Sequence, residues 1–246
     1  MTNTKKSIFY FIIFSILLAL MALIGSVLPF SDYTNNLIGQ SIVTMSLLIY
    51  LVKDGKYNNL QINLKNIHIG FIIGIYILLM AVLNLLSGAE TILTINYSFI
   101  IVISLILTNL MVALFEEVVC RGIIFNEFLK NNTPLKAGLL SSAIFALAHF
   151  LNITHNPDFL GVFTQVVYTF FLGMIFAAIY YYTKNLLTAI LLHFILDLTS
   201  GFYELKPVKV ASDSMTTTVN DMFVTILISL PCLLIGYYLL KKKSSK

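Results

Sequence analysis

Six ionisable side chains fall where an apolar chain has least use for them. Glu116, Glu117 and Arg121 share one hydrophobic run, His149 closes the next, and His193 and Asp197 lie in a later one. At a helix centre each Asp, Glu or Arg costs about 2.5–3.5 kcal/mol to insert. Four such groups left unpaired cost about 10 kcal/mol together, so pairing, water or use must hold them there. Residues four apart share a helix face, which sets Glu117 beside Arg121, Phe145 beside His149 and His193 beside Asp197. Glu116 is rotated about 100° from Glu117 and is left to face another way. One free carboxylate, two imidazoles and a further carboxylate can then converge on a polar pocket between three helices.

Such a set suits hydrolysis. A carboxylate in a low-dielectric site can take a proton from an attacking water. Two histidines can orient that water, donate to a developing oxyanion, or hold a metal that activates it. Asp197 can fix the orientation of His193 or serve as a further ligand. Zn²⁺ is the candidate metal, with His149, His193 and Glu116 as its ligands, although the HExxH spacing of zinc peptidases is missing. No other cofactor is implied. Ser141 and Ser142 lack a GxSG context, and Cys120, next to carboxylates, reads as a packing residue.

The elements that must carry these groups are membrane helices. The chain has 246 residues, 59% of them hydrophobic and 11% charged, which excludes an ordinary soluble domain. Hydropathy marks eight spans at roughly Ile8–Leu28, Leu37–Val52, Ile69–Leu86, Phe99–Phe125, Leu135–Phe150, Leu160–Tyr182, Leu186–Thr199 and Phe223–Leu240. No linker divides them, so residues 1–246 read as one integral, all-α domain. The first run follows Lys5 and Lys6 without a clear cleavage site and reads as an uncleaved span. With the N-terminus inside, twelve lysines face the cytoplasm and two, Lys206 and Lys209, face out. That bias puts both termini of a multi-pass cell-membrane protein in the cytoplasm. Lys241–Lys243 reads as an anchor that also favours anionic lipid. No basic patch interleaved with aromatics points to nucleic acid. His149 comes late in its span, so meeting Glu116 near mid-bilayer requires a tilted fifth helix or one that starts along the interface.

Three motifs occur in order: E-E-V-V-C-R at 116–121 fits EExxxR, F-A-L-A-H at 145–149 fits FxxxH, and H-F-I-L-D at 193–197 fits HxxxN/D. In these the chain resembles the CPBP (CAAX protease and bacteriocin-processing) family of intramembrane endopeptidases, over a core of about residues 98–200. Asp197 stands where the eukaryotic Ras-converting CAAX endopeptidases usually carry Asn. The resemblance implies an eight-helix peptidase with a water-filled cavity, acting on a membrane-associated peptide or protein. By motif, Glu116 would activate the attacking water and Glu117 with Arg121 would form the structural pair beside it. His149, His193 and Asp197 would complete the site. The family has been described both as metalloproteases and as glutamate-dependent enzymes, and bacterial members are linked to bacteriocin immunity and peptide maturation. The Lys-, Ile- and Asn-rich usage suggests a bacterial source. Two other functions compete: a proton-coupled transporter, which buried Asp, Glu and His also build, and a non-catalytic immunity protein. The transporter is disfavoured because no inverted repeat or pair of broken helices stands out.

Overall fold

A computed structural model of the chain describes residues 30–55, 60–94, 98–154, 156–204 and 216–244, with scattered positions ahead of residue 30. The expected first span, Ile8–Leu28, lies largely outside the described residues. The helices are α1 (Asp32–Lys53), α2 (Ile67–Ile73), α3 (Ile75–Thr94), α4 (Phe99–Glu117), α5 (Asn126–Leu129), α6 (Pro134–Ala148), α7 (Phe159–Thr183), α8 (Leu186–Glu204) and α9 (Val219–Ser244). A π-helical segment, Val118–Phe125, joins α4 to α5, and a 3₁₀ turn, His149–Thr154, extends α6. Among the described residues there is no strand.

Among the described residues, five helices are long and apolar enough to cross a membrane, or six if one bent pair counts as a span. The expected span Ile69–Leu86 falls on that bent pair, in which α2 and α3 meet at 65°. The break falls at Gly74, where a Cβ would meet Leu192 Cδ1 at 2.4 Å. Glycine is what lets α8 approach the chain there. The expected seventh span, Leu186–Thr199, falls within the apolar stretch Leu186–Phe202 of α8. Hydropathy measures local apolarity and so found these runs, but it carries no information about bending against a neighbour.

Local sequence explains the helix starts. Ser31 caps α1 by accepting from Thr34 N at 3.3 Å. Thr133 does the same for α6 through Lys136 N at 3.4 Å, followed by Pro134 at the first helical position, where a missing N–H costs nothing. Asp158 caps α7 through Gly161 N at 3.1 Å and also accepts from Thr217 N at 2.8 Å and the Thr217 hydroxyl at 2.5 Å. One carboxylate thus ties the start of α7 to the segment entering α9. The Thr217 hydrogen bonds, side chain first, hold the Asp158 carboxyl below its usual range. A carboxyl depressed in the folded state contributes stability above its unfolded value of about 3.9, and loses it as pH falls through the depressed value. Asp158→Ala should lower stability by about 1–2 kcal/mol near neutral pH. Thermal unfolding in detergent should show the gap to the parent closing as pH drops through that window.

The centre of the bundle is α7. From Leu172 to Tyr180 every residue is buried, which marks a helix surrounded on all sides. By contrast α9 keeps an open apolar side at Leu227, Leu234 and Tyr238. The two helices run parallel and almost touch. A Cβ on Gly236 would meet the Met174 carbonyl carbon at 2.5 Å and its oxygen at 2.6 Å. Backbone cannot yield as a side chain can, so Gly236→Ala should destabilise by about 1–3 kcal/mol. A melting scan of the purified variant checks this. The turn between α7 and α8 is held by the loop before α2: Asn66 Nδ2 donates to Thr183 O at 3.1 Å, and Asn185 Nδ2 donates to Lys65 O at 2.7 Å. That fixes where α8 begins and therefore where His193, seven residues past Leu186, comes to rest.

Candidate active site

Four elements meet at the site: the end of α4 with its π-helical continuation, α6 with its 3₁₀ turn, α7 and α8. Glu117 is the last residue of α4 and Arg121 lies in the π segment. Arg121 Nη1 donates to Glu117 Oε1 at 2.8 Å, and both side chains are buried. His193 Nδ1 meets the same Glu117 oxygen at 2.9 Å. The other nitrogen of that ring, Nε2, lies 3.2 Å from Asp197 Oδ2 and 3.5 Å from Glu116 Oε2. Glu116 and Glu117 therefore do not part company, as their 100° separation suggested. They take opposite nitrogens of one imidazole, which α8 inserts between them.

Aromatic rings close the buried side. The Phe176 ring stacks on His193 with centroids 5.1 Å apart and planes 21° from parallel. The Phe145 ring meets His193 edge-on at 6.0 Å and His149 at 5.0 Å, so this one phenylalanine touches both histidines. Arg121 Cζ lies 4.5 Å from the Phe145 centroid and 5.3 Å from that of Phe176. Its Nε and Nη2 have no hydrogen-bond partner, and these ring faces hold the guanidinium in place.

The site has two layers. Arg121, Glu117, Phe145, Phe176 and His193 form a buried one. His149 and Asp197 stand one turn past Phe145 and His193, and Glu116 one residue before Glu117; the Glu116 and Asp197 side chains are more open, 23% and 30% exposed against 0% for Glu117. The charges of His149, His193, Asp197 and Glu117 all bear on the Glu116 carboxyl. The 3₁₀ turn that extends α6 begins at His149 itself.

Each ring's surroundings assign its protons. His149 Nδ1 lies 3.0 Å from Phe145 O. A carbonyl only accepts, so Nδ1 carries the hydrogen and Nε2 of the neutral ring offers a lone pair. His193 Nδ1 likewise donates to Glu117. Its Nε2 edge faces two carboxylates, those of Asp197 and Glu116.

Among the described residues, no three His, Cys, Asp or Glu side chains come together as ligands for a metal ion. His193 has carboxylate oxygens near both ring nitrogens.

Some contributors escaped the spacing argument. Phe176 lies in no motif, and nothing local distinguishes it from other apolar residues of α7. Asn152, three residues after His149, donates to Gln165 Oε1 on α7 at 2.7 Å and braces the 3₁₀ turn. The polar N-I-T-H-N-P-D stretch hinted at a turn there but not at its partner. The π segment is a third, in a position where such segments often accompany functional sites.

Residues 97–199 match the family model described as Rce1-like, a type II CAAX prenyl endopeptidase. No curated protein matches the chain. All six site residues fall within the matched stretch, and this family is one of proteases. Residues 97–199 of this bundle of apolar helices are thus similar to the Rce1-like family of membrane-embedded proteases.

Proposed function

We propose that the chain is an intramembrane endopeptidase that hydrolyses a peptide bond in a membrane-held peptide, with Glu116 as the group that activates water. The observation that carries this reading is the two-layer site, in which buried Glu117 and Arg121 hold His193 while the Glu116 and Asp197 side chains are partly exposed. Glu116 takes a proton from the attacking water, and His149 Nε2 is the second acceptor at that face. His193, held by Glu117 at one nitrogen, donates from the other to the oxyanion that forms on the substrate carbonyl. Asp197 keeps that edge charged and aligned. When the tetrahedral intermediate collapses, the proton held by Glu116 passes to the leaving amine. This route is glutamate-dependent and needs no metal.

In the bilayer we place eight spans with both termini in the cytoplasm, which the twelve-to-two lysine bias supports. The activity of the matched family and the apolar, membrane-length helices favour a substrate held in or against the membrane. Bacteriocin self-immunity or maturation of a secreted peptide is the setting we propose. The test is cleavage by the purified protein in liposomes of a panel of internally quenched peptides, some ending in a prenylated CAAX sequence and some unmodified. New termini are read by mass spectrometry. Cleavage that persists with chelators present is expected. No cleavage of any panel member would reject the peptidase, and activity lost to chelation and restored by Zn²⁺ would reject the metal-free route.

A further inference from the structure

The C-terminal ends of α7 and α9 lie side by side, because the helices are parallel and Tyr182 Oη donates to Leu239 O at 3.1 Å. Lysines crowd this end, each set against an aromatic face. Lys184 Nζ is 4.3 Å from the Tyr181 ring centroid and Lys243 Nζ is 5.3 Å from that of Tyr182. The two tyrosine rings are 6.2 Å apart, so the lysines share one aromatic wall. Lys241 Nζ stands over Tyr237 at 5.4 Å.

A ring face steers an ammonium without neutralising it. Among the described residues, Lys184 and Lys243 have no carboxylate partner, whereas Lys130 is paired with Glu127. Two uncompensated charges from different helices are thus pointed into one neighbourhood. Lys184 also sits in a left-handed backbone conformation, φ 50° and ψ 41°, which favours glycine. A long cationic side chain occupies a place where the turn itself would be better served by none. Partial burial holds the Lys184 ammonium below its usual range, a penalty that a neighbouring anion relieves.

The surroundings are those of lipid. Tyr238, 63% exposed, stands beside Tyr182 and ends an open stripe with Leu234 and Leu227, which share its helix face. An acyl chain can lie along that stripe while its phosphate reaches the lysines.

We propose that the paired ends of α7 and α9 form a seat for the phosphate headgroup of an anionic glycerophospholipid, with Lys184 and Lys243 as its charged contacts. The seat is separate from the peptidase site and does not depend on its activity. A bound lipid there would clamp α9 to α7, the helix whose Phe176 supports His193.

Delipidated full-length protein titrated with phosphatidylglycerol or phosphatidylcholine, followed by native mass spectrometry, tests this. Phosphatidylglycerol should be retained in preference to phosphatidylcholine. Lys184→Gly and Lys243→Gln should each weaken phosphatidylglycerol binding by about fivefold. Lys184→Gly suits the turn's backbone, so its melting temperature should equal or exceed the parent's, which separates lost binding from lost folding. Equal retention of the two lipids, or unchanged phosphatidylglycerol binding by both variants, would overturn the proposal. So would inorganic phosphate, added without lipid, binding as tightly, since the seat would then be one for a free anion.

Discussion

Glu116→Gln should lower the turnover of a cleaved peptide by about 10²–10⁴-fold, the range contributed by a positioned general base. Its yield and melting temperature should stay those of the parent. The asymmetry follows from where the side chain sits. It is partly exposed, and its contact with His193 is long, at 3.5 Å. Glutamine fills the same volume and can keep that contact, but it cannot accept the proton of the attacking water. Steady-state kinetics beside a thermal scan decides the matter. Undiminished turnover would remove Glu116 from the chemistry.

Glu117 should behave in the opposite way. Glu117→Leu alone leaves Arg121 buried with its charge unmatched, a loss of about 3–5 kcal/mol, and the protein should accumulate poorly. Arg121→Met alone should fail similarly, by stranding the carboxylate. The double variant Glu117→Leu/Arg121→Met removes both charges and should recover most of the lost stability, because a buried ion pair replaced by apolar residues of similar size is often neutral. Activity should not return with the fold. His193 Nδ1 loses its acceptor at 2.9 Å, so nothing holds the ring's other edge toward the substrate carbonyl. Stability measured by thermal unfolding, with cleavage assayed on the same samples, separates the two jobs of Glu117. Full activity in the refolded double variant would show that the pair only fills space.

These two outcomes express one design. Buried charges are costly in a bilayer, and this bundle gathers them into one compact layer in which Arg121 and His193 both bond Glu117 beside two phenyl rings. The more exposed Glu116 and Asp197 can then remain reactive without being responsible for the fold.

Amino-acid order alone determined what depends on neighbours along the chain. Apolar runs of span length announce membrane helices, since the bilayer sets that length whatever the tertiary fold. Spacing of four placed Glu117 with Arg121 and His193 with Asp197, because helix geometry makes those contacts local. Tertiary structure decided the rest. Glu117 and His193 are 76 residues apart, and no periodicity relates them; only the packing of α8 against α4 brings the ring between the two glutamates. Phe176 becomes a platform for His193 by the same packing, and the bend at Gly74 exists because Leu192 presses there. Covalent spacing specifies which side chains share a helix face, while which faces meet is settled by the close fit of whole helices, a property no single segment contains.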